Sequence, residues 1–280
     1  MKKLYVSDLD GTLLNQRGDI SATTAEKLNT CIEQGIAFTI NTARTPATTF
    51  PIMASVNLQI PFSMMNGVLV YDPGQQDYLE VHSLSRETAM VILGVIKLYG
   101  LQCFMYTMEH GTMYTYYDSV ESRSLNKFRN ERIMKYDKVF TEVDDLSICA
   151  DRGVIYFFLR ERKERLMNLY RDLQVVRGAH AIMYEDIYHE EWMNLEIYSD
   201  QASKSAALNR IRQWGDFDYL IGFGDSTNDI EMFKACDETY AVSNASAEIQ
   251  ELADGIIPGN EEDGVARFLY KALHMAGKEN

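Results

Sequence analysis

The stretch Ser7-Asp8-Leu9-Asp10-Gly11-Thr12 constrains this chain more than any other. The run Lys3-Leu4-Tyr5-Val6 before it suits a short strand buried in a parallel sheet, which puts Asp8 at the strand's carboxyl end. Ligands of open α/β sheets gather at that edge. Strand side chains alternate, so Asp8 and Asp10 can point one way while Leu9 points back into the core, and Gly11 lets the chain turn. Two neighbouring carboxylates repel and lose hydration, so they call for a cation or a shared proton. A solvated turn after an edge strand also carries such pairs, and the rest of the chain decides between the two.

The same arrangement recurs. Ser21 caps a helix expected over 22–33, closed by Gly35, and the strand 36–40 then ends in Asn41-Thr42-Ala43-Arg44. A helix follows Pro46. Phe62–Met65 is a short strand ended by Asn66-Gly67, and Val68–Tyr71 pairs back with Tyr78–His82 across Asp72-Pro73-Gly74. The order βαβαβ with a terminal hairpin predicts a doubly wound, Rossmann-like parallel sheet. After Asp200 the alternation returns. A helix starts at Ser203-Lys204, strand 219–223 ends in Gly224-Asp225-Ser226-Thr227-Asn228-Asp229, and strand 239–242 ends in Ser243-Asn244-Ala245. Helices near 247–253 and 265–276 follow.

Between these halves the character changes. Residues 83–197 are rich in tyrosine and in hairpin signals, with helices expected from Ser85 to Tyr99, over 120–132 and over 161–173. Strands are expected at 103–106, 113–117, 154–159, 180–184 and 193–198. The expected organisation is an α/β core of 1–82 and 198–280 interrupted by an α+β cap of 83–197.

The 280 residues can bury one large or two modest cores, and 46% apolar with 24% charged residues argues against disorder. A net charge of −14 argues against a nucleic-acid partner, and any anionic substrate needs a local cluster of cations. Cys31, Cys103, Cys149 and Cys236 form no Cys-x-x-Cys pair and have no zinc spacing, so reduced thiols are expected. Asp8 and Asp10 interrupt any signal-peptide core, and no apolar run is long enough to span a membrane. The expectation is a cytoplasmic protein with no membrane partner, a monomer or weak homo-oligomer.

Four strand ends thus carry Asp8 and Asp10, Thr42 and Arg44, Asp225 with Asn228 and Asp229, and Asn244. Lys204 starts a helix, where the dipole is already positive. If these ends share one edge they form one site. Its carboxylates suit Mg²⁺, a hard cation held by few protein oxygens plus substrate phosphate. Asp8, beside a cation, can attack phosphorus and split one hard displacement into two, and Asp10 can carry the proton if burial beside Asp8 raises its pKa.

Asp8-Leu9-Asp10-Gly11-Thr12 resembles the first motif of the haloacid-dehalogenase-like (HAD) phosphatases, Thr42 the second, Lys204 the third, and Gly224-Asp225-Ser226-Thr227-Asn228-Asp229 the fourth. Asn66-Gly67 and Glu262-Asp263-Gly264-Val265 resemble signatures of the Cof-type branch, which inserts a large cap after the third core strand. The resemblance implies a Mg²⁺-dependent phosphatase acting on a small phosphorylated metabolite, such as a sugar phosphate or phosphorylated cofactor, through an aspartyl phosphate on Asp8. It implies that Asp8, the backbone carbonyl of Asp10 and the side chain of Asp225 ligate the metal, with Asp229 orienting metal-bound water. Thr42 and Lys204 would bind the phosphoryl group, Asn228 would support it, and Arg44 and Asn66 would contact substrate. Ala43, Ser205 and Ser243 stand where the family carries glycine. A phosphotransferase or phosphomutase, or a non-catalytic phosphate-binding module, would share much of this pattern.

Elsewhere the expectations are structural. His110 and His189 fall in turn or strand positions, Glu190-Glu191 reads as an exposed pair, and Trp192 as packing. The run Tyr114-Thr115-Tyr116-Tyr117 covers a sheet face. Gly222-Phe223-Gly224 lacks the third glycine of a dinucleotide loop.

Overall fold

The structure, a computed structural model, describes residues 1–186 and 191–276. The chain forms two units, Met1–Glu80 with Ser203–Asn280, and Val81–Ala202.

The first unit begins with β1 (Lys3–Ser7), α1 (Ala22–Glu33), β2 (Ala37–Ile40), α2 (Pro46–Met53), β3 (Phe62–Met64), β4 (Leu69–Asp72) and β5 (Asp77–Val81). The second contains α3 (Arg86–Leu98), β6 (Phe104–Glu109), β7 (Thr112–Tyr117), α4 (Arg123–Tyr136), β8 (Thr141–Glu142), β9 (Val154–Glu161), α5 (Lys163–Leu173), β10 (Ala179–Glu185) and β11 (Met193–Ser199). The first unit resumes with α6 (Lys204–Gly215), β12 (Tyr219–Gly224), α7 (Ile230–Ala235), β13 (Glu238–Val242), α8 (Ala247–Leu252), β14 (Gly255–Ile257) and α9 (Gly264–Ala276).

The main sheet of the first unit has the order β14-β13-β12-β1-β2. Its pairings are all parallel, with Ser7 opposite Phe223 and Ile40. Such strands are buried on both faces, which is why Leu4, Val6, Phe38, Ile40, Leu220 and Phe223 read as apolar runs. Helix α1 starts where Ser21 Oγ accepts from the Thr24 N–H at 2.9 Å, and it buries Leu28, Cys31 and Ile32. Asp263 accepts from Ser21 Oγ at 2.5 Å and Thr24 Oγ1 at 2.8 Å, which ties the first turn of α1 to the residue before α9. From β1 the chain proceeds to β2 on one side, while β12 lies on the other. The carboxyl ends of β1 and β12 therefore flank the topological switch point, where such sheets bind ligands.

Two details depart from the expected βαβαβ core. The third strand, β3, touches the parallel sheet through a single bridge, Asn41 to Ser63, and belongs instead to the sheet β3-β4-β5. The chain turns out of β2 at the polar Asn41-Thr42, where the Thr42 N–H donates to the Ser63 carbonyl at 3.0 Å, so the ladder ends after one bridge. The edge strand β14 was not expected from the sequence, because three residues beginning with glycine carry no periodicity.

The second unit has one sheet, β10-β11-β9-β6-β7-β8. Its pairings are antiparallel except β7 with β8. Ile92, Leu93 and Ile96 of α3 and Leu166, Leu169 and Leu173 of α5 share a core with Met105, Phe157, Leu159, Leu195 and Ile197. Alternation sends Tyr106, Tyr156 and Tyr198 to the opposite face, where Tyr156 stacks on Tyr198 at 5.3 Å. Buried Lys138 lies over this row, its Nζ 4.4 Å from the centre of Tyr106, and burial and the charge of Arg132 lower its amine to about 7. His110 and Gly111, both left-handed, make the two-residue turn between β6 and β7. Tyr116 is buried, and Tyr114 stacks beside it while remaining exposed. Trp192 is buried and Glu191 is exposed, whereas His189 and Glu190 lie outside the described residues.

Cys31, Cys103 and Cys149 are buried, Cys236 is half-buried, and all four are free thiols. Among the described residues no helix is long and apolar enough to cross a membrane.

Candidate active site

Asp8 follows β1, and its N–H donates to the Phe223 carbonyl of β12 at 3.0 Å, so the β1–β12 ladder itself fixes its backbone. Asp225 follows β12. Its side chain accepts from Thr12 Oγ1 at 2.8 Å, and its carbonyl accepts from the Ser246 N–H at 2.9 Å. Gly11 (φ +77) makes this approach possible, since a Cβ there would stand 2.3 Å from an Asp225 carboxylate oxygen. Asp229 closes a capping box with Ser226 and takes the Asp225 N–H on Oδ2 at 3.0 Å.

Lys204, at the start of α6, joins these carboxylates. Its Nζ donates to Asp8 Oδ1 and to Asp229 Oδ1, each at 2.7 Å, and only 1% of its side chain is exposed. The backbone of that first turn is braced by Asn41 Nδ2, which donates to the Lys204 carbonyl at 2.9 Å. Burial alone would lower the ammonium, but Asp229 and Asp8 outweigh it and hold Lys204 above its ordinary value.

Oxygens of Asp8, Asp225 and Asp229 all lie within 4.8 Å of one another. Three buried carboxylates share one ammonium. Burial, then the charge of Asp229, pushes Asp8 up to about 7 against the pull of Lys204, with a smaller push from Asp10. Burial, Asp229 and Asp8 raise Asp225 to about 8. Buried anionic oxygens short of positive charge are the donor set of a hard divalent cation, so the residues present fit Mg²⁺.

Asp10 stands apart from this trio. Its side chain is 28% exposed, and Arg44 holds it in a two-point fork, Nε to Oδ2 at 2.7 Å and Nη2 to Oδ1 at 2.6 Å. The expectation of a carboxyl buried beside Asp8 therefore gives way to one paired with a guanidinium. Thr42 is buried, and its Oγ1 accepts from the Arg44 N–H at 3.1 Å. Asn66 is buried in the left-handed region, and its N–H donates to the Thr42 carbonyl at 3.1 Å. Half-buried Asn228 takes the Ser226 hydroxyl on Oδ1 at 2.6 Å. Asn244 Nδ2 donates to the Gly11 carbonyl at 2.7 Å, which ties the end of β13 to the turn after Asp10. Ser205 lies 3.1 Å from the Ser203 hydroxyl.

The structure thus brings Asp8, Lys204, Asp225 and Asp229 together at the switch point, with Asp10, Arg44 and Thr42 around the neighbouring turns. Sequence reasoning missed the parts played by Thr12 and Asn41. Thr12 carried a signal in its place within the first motif, whereas Asn41 had none beyond being polar at a strand end.

Carboxylates at the switch point of a doubly wound sheet, braced by a buried lysine, make an arrangement suited to a divalent cation and a phosphoryl group. Comparison with known proteins makes this specific: residues 5–269 match the haloacid dehalogenase-like hydrolase family, and the chain belongs to it. A Bacillus subtilis (strain 168) relative, 5-amino-6-(5-phospho-D-ribitylamino)uracil phosphatase YwtE, is 25% identical over 97% of this chain and 98% of its own. Pyridoxal phosphate phosphatase YbhA of Escherichia coli (strain K12) is 24% identical over 97% of this chain and 98% of its own. In fold, the chain is similar to a haloacid dehalogenase-like hydrolase from Bacteroides thetaiotaomicron, with a TM-score of 0.81, 21% identity, and coverage of 97% of this chain and 100% of that one.

Proposed function

We propose that the chain is a Mg²⁺-dependent phosphatase that hydrolyses a small phosphomonoester, a sugar phosphate or phosphorylated cofactor, through an aspartyl phosphate on Asp8. The observation that carries this reading is the contact of buried Lys204 with both Asp8 and Asp229, beside Asp225. It leaves Asp8 fixed and screened, as a nucleophile facing an anionic phosphoryl group must be. Relatives named for phosphorylated small molecules support the substrate class.

In this reading Asp8 and Asp225, with the backbone carbonyl of Asp10, would hold the metal, and Asp229 would orient water beside it. Bound Mg²⁺ would supply positive charge that offsets the charge of the phosphoryl oxygens. Asp8 attacks phosphorus while Asp10 gives a proton to the leaving oxygen. Asp10 then takes a proton from the water that releases phosphate. Thr42 and Lys204 hold the phosphoryl oxygens, with Asn228 behind them, and Asn66 is a substrate contact. The insert, the expected cap of 83–197, carries discrimination between substrates. The enzyme works in the cytoplasm as a monomer or weak homo-oligomer.

A chiral, isotopically labelled phosphate ester tests the covalent step. Two in-line transfers give net retention at phosphorus, and net inversion overturns the aspartyl-phosphate route. Asp8→Asn is expected to abolish turnover without altering the fold by circular dichroism. Transfer to an added alcohol in place of water would reassign the protein as a phosphotransferase.

A further inference from the structure

Arg44 is expected from the sequence to reach substrate, yet its guanidinium edge is engaged by Asp10 at two points, 2.7 and 2.6 Å. A fork of this kind fixes the plane of a carboxylate as well as its place. The arginine is itself held from behind. Its N–H donates to Thr42 Oγ1 at 3.1 Å, and its carbonyl accepts from the Met65 N–H, also at 3.1 Å. Met65 and Asn66 both adopt left-handed backbone (φ 53 and 56), which costs free energy at non-glycine positions, and these two residues are what brace the Thr42–Arg44 turn. The turn after β3 thus supports the turn after β2, and that turn presents the fork to Asp10.

We infer that Arg44 is a positioning residue: it holds the Asp10 carboxylate in place for the half-reaction in which water attacks the phosphorylated Asp8, and it does not hold the transferring phosphoryl group. The inference rests on the phosphatase reading above. In that step a water oxygen forms a bond to phosphorus, the bond from phosphorus to the Asp8 oxygen breaks, and the water proton passes to Asp10. Phosphate leaves, and Asp8 regains its charge. A phosphoryl group seeking the same guanidinium edge would first have to displace Asp10.

The test uses the full-length protein with Mg²⁺ and 2,4-dinitrophenyl phosphate, whose leaving group needs no acid, followed in stopped flow. For Arg44→Met, the inference expects a burst of about one equivalent of dinitrophenolate at close to the wild-type rate. Steady turnover is expected to fall at least tenfold, with phosphorylated Asp8 trapped by acid quench. Arg44→Lys keeps the charge without the fork and is expected to fall between the two. In an Asp10→Asn background, Arg44→Met is expected to add less than twofold. A burst rate that falls in step with steady turnover, together with weaker inhibition by inorganic phosphate and a full additional loss in the Asp10→Asn background, would make Arg44 a phosphoryl contact and overturn the inference. Absence of wild-type hydrolysis of this ester would overturn the phosphatase reading and the inference with it, so the two failures are distinguishable.

Discussion

Asp225 and Asp8 are held to their protons by burial and by neighbouring negative charge, at about 8 and about 7. A carboxyl whose folded value lies above its unfolded value, near 4, contributes stability that is fully present below pH 4 and lost as pH rises through the folded value. The protein in excess chelator is therefore expected to be less stable to urea at pH 8.5 than at pH 5.5. Asp225→Asn removes one of the two groups and should shrink that difference by about 1 kcal/mol or more, on the order of one pKa unit. Adding Mg²⁺ should restore stability at pH 8.5 by mass action. Equal pH dependence in wild type and variant would remove Asp225 from the strained group. Asp8, Asp225 and Lys204 were legible in the sequence because their types follow apolar runs at strand ends and one helix start. The target of Arg44 was not, because it depends on how the Thr42–Arg44 turn is braced by Met65 and Asn66, a relation between backbones that no residue type announces.

Among the elements, the start of α6 matters most, because it carries Lys204. It packs against the turn after β3, where Gly67 has φ +91 and a Cβ would stand 2.2 Å from the Ser203 carbonyl oxygen. Gly67→Ala is accordingly expected to cost about 2–4 kcal/mol of stability, from backbone strain together with the clash. Because that carbonyl belongs to the residue capping α6, turnover at saturating Mg²⁺ should fall as well. A thermal shift of under one or two degrees with unchanged activity would mean that the turn moves aside freely. Elements such as β1, β9 and β12 were visible in the sequence as apolar runs several residues long. In contrast, β3 and β14 were misjudged or missed, since three residues hold no period and their pairing is decided by neighbours.

For the whole molecule, the first unit is interrupted yet closes on itself: where its chain leaves, Glu80 forms an ion pair with Arg210 of α6, shortly after the chain returns. Replacing residues 81–202 with a short flexible linker is expected to give a folded protein that still binds Mg²⁺ and hydrolyses activated aryl phosphates. Across a panel of phosphorylated metabolites it should discriminate poorly, and retained selectivity would place specificity in the first unit. The interruption has a further consequence for synthesis. Strand β1 finds its partner β12 only after the insert is made, for Lys2 meets Asp218 across a separation of 216 residues. On the ribosome the insert, continuous in sequence, has all its strands by Ser199 and can fold first. Asp8, the earliest of the site's aspartates to be polymerised, must therefore wait for β12 before Lys204, Asp225 and Asp229 can gather around it.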